Sequence, residues 1–155
     1  MQLKVLWPGK TRHGPLGEIQ AHYLKRINSL ERCHLFETRE AKGIPESQEA
    51  KIKRIEAAGL EKHLRDDYIV CLFDKGREMD SKQFAVFLER TAMDQPRAIS
   101  FVVGGFLGLA DEILQRADVR LSLSRMTFSH ELTRIVLLEQ IYRALTIMKG
   151  YNYAK

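Results

Sequence analysis

The stretch Ala98–Arg116, AISFVVGGFLGLADEILQR, decides how this chain is read. Its first six residues are almost wholly apolar, as in a parallel strand covered on both faces. Gly104 and Gly105 end the run, Gly108 follows, and a helix resumes at about Ala110–Arg116. Three glycines in five positions ask what approaches so closely that a Cβ would obstruct it. A phosphate, a nucleoside or another piece of the same chain would each answer. Taken alone, the pair reads as a tight strand-to-helix turn needing positive φ.

The same alternation extends in both directions. Leu3–Trp7 is a short strand closed by Pro8 and Gly9, and Glu18–Ser29 carries helical spacing through Ile19, Tyr23 and Ile27. Cys33–Glu37 is a strand, and Ser47 is an expected N-cap for a helix running to about Leu64. Tyr68–Phe73 is another apolar strand, after which Asp74-Lys75-Gly76 is expected to turn the chain. Ser81 is the expected cap of a third helix with Phe84, Phe87 and Leu88 on one face. Val119–Leu123 completes the strands, and Glu131–Lys149 is the longest periodic segment. Its apolar positions exceed a ~100° stripe, so it should pack against two surfaces, the sheet and a second copy of the chain. The pattern predicts one α/β domain, residues 1–155, with a mainly parallel sheet flanked by helices.

Composition narrows the class. The 155 residues support one good core, and the net charge of +5 favours a polyanionic partner such as nucleic acid. Cys33 and Cys71 sit in apolar runs without a CxxC or a Cys/His cluster, so they read as small buried hydrophobes and no metal is expected. No apolar run approaches the ~20 residues that span a bilayer, and MQLKVLWPGK leads straight into a strand. A cytoplasmic protein without a membrane role is expected.

Open α/β sheets bind ligands beyond the carboxyl ends of their strands. Three loops lie there: FDKGR after Phe73, GGFLG after Val103, and SLSRMTFSH after Leu121. GGFLG has neither the spacing nor the position of the dinucleotide fingerprint, and no GxxxxGK[ST] occurs. The Ser-rich, apolar LSLSRMTF instead suits a pocket whose backbone reads an uncharged adenosine.

LSLSRMTFSHELTRIVLLEQIYRALTIMKGYNYAK, with FVVGGFLGL and IVCLFDKG before it, closely resembles the ribosomal RNA large-subunit methyltransferase H family. These are small SPOUT-class enzymes, and the resemblance covers essentially the whole chain. It implies a homodimeric α/β domain with a C-terminal trefoil knot that binds S-adenosylmethionine. The implied reaction is methylation of N3 of a pseudouridine in large-subunit ribosomal RNA on the ribosome. By matching position, the cofactor pocket would involve Leu72, Gly104, Gly105, Gly108, Leu123, Ser124, Arg125, Met126, Thr127 and Phe128.

Arg143 matches a family arginine suited to stabilising a developing anion, Tyr153 a tyrosine expected to approach the partner subunit's target nucleoside. His130, at the start of the last helix, could hydrogen-bond the base or cap the helix. Lys10, Arg12, Arg125 and Arg134 are the candidate phosphate contacts. The chain departs from the family pattern at Phe106-Leu107, at Ser129 where a proline is usual, and at Ala154 where a histidine is usual. The last change keeps two other readings open: a knotted RNA- or ribosome-binding protein with impaired catalysis, and a SPOUT enzyme that methylates another RNA, such as transfer RNA ribose.

Overall fold

The computed structural model describes residues 1–153, so Ala154 lies outside the described residues. Five strands and five α-helices alternate: β1 Gln2–Pro8, α1 Gly14–Asn28, β2 Arg32–Thr38, α2 Glu49–Glu61, β3 Tyr68–Glu78, α3 Ser81–Asp94, β4 Ile99–Val102, α4 Asp111–Arg116, β5 Val119–Ser122 and α5 His130–Met148. The sheet order is β2-β1-β4-β3-β5, and every neighbouring pair is parallel.

Strand alternation splits the core into two layers. Leu3, Val5 and Trp7 of β1 face one layer with Phe101, Leu88 and Leu138, while Leu6 and Val102 face the other with Leu60 and Ile113. Helices α1, α3 and α5 cover the first face, and α2 and α4 the second. Lys4, which also points to the second face, is neutralised by Asp67 at 2.7 Å. Cys33 and Cys71 are buried free thiols whose pKa burial pushes up to about 12, so both stay protonated.

Several sequence expectations shift. Helix α1 starts at Gly14, with Pro15 in its first turn where a proline's missing N–H costs nothing. Ser47 lies inside a 3₁₀ turn, Glu46–Gln48, and caps nothing. Asp80, not Ser81, caps α3: its carboxylate accepts from the Gln83 N–H at 2.7 Å and Gln83 returns the bond. FDKG is not a simple turn either. Strand β3 continues to Glu78, and Leu72 and Arg77 both register with Leu121, so residues 73–76 bulge between them. A Cβ on Gly76 would lie 2.6 Å from the Arg120 carbonyl oxygen, which explains the glycine.

Most of the apolar breadth of α5 is absorbed within the chain, while Leu132 and Ile147 stay exposed. Leu137, Leu138, Ile141, Ala144 and Leu145 are fully buried against the sheet, and α1 and α3 flank the helix on either side.

Candidate active site

A cleft of about 400 Å³ opens at the carboxyl ends of β3, β4 and β5. All three expected loops meet in it. Phe73 and Asp74 contribute from the β3 bulge, and Gly104 to Leu109 from the turn after β4. Leu121 contributes from β5 itself, and Leu123 and Met126 to Phe128 from the segment after it. Of the ten expected cofactor residues, Leu72, Gly104, Gly105, Gly108, Leu123, Met126, Thr127 and Phe128 line the cleft.

Ser124 and Arg125 do not line it. The Ser124 hydroxyl accepts from the Met126 N–H at 2.9 Å, which shapes the loop from behind. Ser122 Oγ lies 3.0 Å from the carbonyls of both Asp74 and Ser124, tying two of the loops together. Arg125 projects away, 87% exposed, with Nε 3.4 Å from Glu78.

The glycines divide by cause. A Cβ on Gly104 would lie 2.6 Å from the Gly108 carbonyl carbon, and one on Gly105 would lie 2.6 Å from Glu56 Oε1. Gly104 is glycine because the backbone folds back on itself, whereas Gly105 meets only the end of a side chain. Gly108 differs: its φ is +85°, and nothing among the described residues stands within 4 Å of an added Cβ. The Gly108 N–H donates to the Gly105 carbonyl at 3.0 Å, closing a turn that holds Phe106 out, 71% exposed. The Phe106 ring meets His130 edge-on at 6.3 Å.

His130 lines the cleft at the start of α5, where Ser129 caps the helix by accepting from the Leu132 N–H. Burial, helped by the Arg134 charge, holds its imidazole pKa below 6.5, so it stands neutral at physiological pH. Glu131 accepts from the N–H groups of Arg12 and His13 at 3.1 and 3.0 Å. Burial alone would raise its pKa, but those bonds and Arg134 hold it below 4.5. The loop after β1 is thereby pinned beside the cleft.

Arg134 is not a surface cation. It is 1% exposed, donates to the Pro8 carbonyl at 2.7 Å and to Thr11 Oγ1 at 3.0 Å, and lies over the Trp7 ring. Burial lowers its pKa to about 10. A phosphate cannot reach it. Lys10 and Arg12 are exposed on the same loop, Arg12 paired with Glu40.

Arg143 and Tyr153 are brought together, but outside the cleft. Thirteen residues separate His130 from Arg143 along α5, ~20 Å at 1.5 Å per residue. Arg143 pairs with Glu139 at 2.7 Å and lies 4.6 Å from the Tyr153 ring centroid. Tyr153 meets Tyr142 edge-on, and Arg26 lies over both rings while donating to the Tyr142 hydroxyl at 2.9 Å. Burial and neighbouring Tyr23 push the Tyr153 phenol up to about 12.

Sequence reading missed Lys53, Asp74 and Thr133 in the cleft. Asp74 lay in the quoted FDKG, and Thr133 is one helical turn from His130. Lys53 comes from α2, and in sequence it is one of several scattered basic residues.

The family model described as "Predicted SPOUT methyltransferase" matches residues 1–154. This chain belongs to the SPOUT methyltransferases. It is 37% identical over 159 residues to a ribosomal RNA large subunit methyltransferase H from Clostridium kluyveri, and the match covers all of both chains. The counterpart from Carboxydothermus hydrogenoformans is 35% identical over 159 residues, again over the full length of each. Among solved structures, a probable methyltransferase from Bordetella pertussis Tohama I has a TM-score of 0.56 over 93% of this chain and 96% of that one, at 13% identity. That likeness is one of fold. In this SPOUT methyltransferase the cleft occupies the strand ends where an α/β fold presents its ligands.

Proposed function

We propose that this SPOUT methyltransferase is a cytoplasmic, single-domain enzyme, residues 1–155, that methylates N3 of a pseudouridine in large-subunit ribosomal RNA from S-adenosylmethionine. We also propose that it acts as a homodimer whose C-terminal chain forms a trefoil knot. The observation that carries the reading is the convergence of three strand-end loops on one backbone-rich cleft with a neutral His130 at its edge. The names and full-length match of its relatives support the ribosomal substrate.

The residues present fit the cofactor. Leu72, Leu121, Leu123 and Phe128 offer apolar walls for an adenine, and the space over Gly108 leaves backbone accessible. Asp74 and Thr133 supply polar groups for the rest of the molecule. When bound, S-adenosylmethionine supplies a methyl group already activated by its sulfonium. The chain's remaining task is to position the base and manage a proton. N3 of the base must lose its proton, and the neutral imidazole of His130 in the cleft is able to accept it. A guanidinium beside the base would stabilise the anion that develops. Arg143 and Tyr153 cannot supply this within their own chain, so a second copy delivers them to the cleft.

The deciding experiment transfers labelled methyl to ribosomes from a strain lacking the activity, followed by nucleoside analysis. Label in N3-methylpseudouridine of large-subunit RNA is the expected result. Label confined to transfer RNA, or none at all, overturns the reading.

A further inference from the structure

A second groove, of about 510 Å³, runs along α3 where that helix meets the free edge strand β5. Its lining includes the apolar and aromatic Tyr68, Val86, Phe87 and Val119. Its rim carries Arg77 from β3 and Lys82 and Arg90 from α3, against Asp94 as the acid in the lining. All three cations are exposed, and among the described residues none forms an ion pair or a side-chain hydrogen bond. Some cations elsewhere are paired, as in Lys4–Asp67, Arg12–Glu40, Lys53–Glu49 and Lys149–Glu31. The groove thus gathers three cations against one acid, Asp94.

Their placement has direction. Lys82, Val86 and Arg90 follow at i, i+4 and i+8 on α3, so the two charges stand ~12 Å apart along one stripe. Arg77 registers with Leu121, and Leu121 lines the cleft. One end of the groove therefore adjoins the cleft, close to exposed Arg125 with its partner Glu78. At the other end Arg97 lies 5.5 Å over the Tyr68 ring, with Asp118 4.0 Å away.

We infer that this groove is a track for the phosphodiester backbone of the RNA substrate, leading the strand that flanks the modified nucleotide away from the cleft along α3. The inference rests on the RNA methyltransferase reading above. Cations spaced along one side bind phosphates without reading sequence, and an aromatic lining accepts sugars and base faces. A protein partner would have to leave three charges beside an apolar lining or bring matching carboxylates. A polyanionic strand brings the countercharge at regular intervals.

The test is the salt dependence of binding to a large-subunit ribosomal RNA fragment, using the full-length protein. Losing three single-strand phosphate contacts lowers the slope of log K against log salt by about 2. R77Q/K82Q/R90Q should show that drop and bind at least ~10-fold more weakly at low salt. K51Q/K62Q/R65Q, which removes three exposed cations elsewhere, should leave the slope near wild type. S-adenosylmethionine affinity, measured by calorimetry, should be equal in all three proteins and shows that each is folded. Equal losses in both triple variants, or an unchanged slope in the first, overturn the track. A changed oligomeric mass in R77Q/K82Q/R90Q overturns it too, because the groove would then be a face between copies. If the wild type binds S-adenosylmethionine but no ribosomal RNA, the functional reading itself fails, a different outcome from loss of the track alone.

Discussion

The guanidinium of Arg134 donates to the main-chain carbonyl of Pro8 at 2.7 Å, joining the middle of α5's first half to the end of β1. The bond is buried, and the same side chain holds Thr11 and covers Trp7. Arg134→Met keeps much of the stem's volume but strands the Pro8 oxygen without its donor. A buried acceptor left unpaired costs ~1–3 kcal/mol. Urea unfolding should show a loss of that size, with an unchanged m-value. The salt slope of RNA binding should not move, which separates this arginine from a phosphate contact.

Gly104 and Gly105 should answer differently to one added methyl. Gly104→Ala drives a Cβ into backbone at residues 108 and 109, which cannot yield without reshaping the cleft. Gly105→Ala meets only the carboxylate end of Glu56, which accepts from the Ala41 N–H at 3.2 Å. Gly104→Ala should therefore lose S-adenosylmethionine binding by at least ~10-fold. Gly105→Ala should lose less, and Glu56→Ala combined with it should restore part of that loss. Calorimetric titration of the four proteins checks the order.

His130 sets an acid limit. Its pKa falls below 6.5 on folding, so the unfolded chain binds more protons as pH drops through that value. Stability rises with pH wherever the unfolded state binds more protons, so it must decline on acidification below about 6.5. Glu131, held below 4.5, has the same sign and adds a second loss at lower pH. Denaturant midpoints across pH should show the first decline in the wild type and not in His130→Gln. The methyl-transfer rate should follow a single acid limb with its midpoint below 6.5, because only the neutral imidazole accepts the N3 proton.

Separation of His130 from Arg143 along one helix makes a mixing experiment decisive. Variants His130→Ala and Arg143→Ala should each be inactive. Mixing equal amounts and allowing subunit exchange gives one intact composite site in each mixed dimer, hence about a quarter of wild-type activity. No recovery after exchange would place each site within a single chain.

Much of this was legible in sequence. Alternating periodicity located every strand to within two residues except β3, and the three strand-end loops do form one cleft. What escaped was long-range. No local pattern could show that the Gly104 Cβ position is filled by the chain's own backbone. Nor could it show that α1 and α3 meet most of α5's apolar excess, leaving Leu132 and Ile147 exposed. Arg134 could have been read better: it falls at i, i+3, i+4, i+7 and i+11 with Leu137, Leu138, Ile141 and Leu145, the buried stripe. Charge alone had marked it as a surface residue. The caps misled because Ser47 and Ser81 are good cap types, while Asp80 had the matching Gln83 three residues on.

The pins between α5 and the loop after β1 have a consequence for how the protein is made. They join residues 118, 119 and 126 positions apart, nearly the whole length of the chain. Contacts of such long sequence separation form late and slowly, since the closure entropy must be met before they reward it. During synthesis the first strand, its loop and the glycine turn all emerge without their last helix. The cleft is thus completed only when the C-terminal quarter arrives.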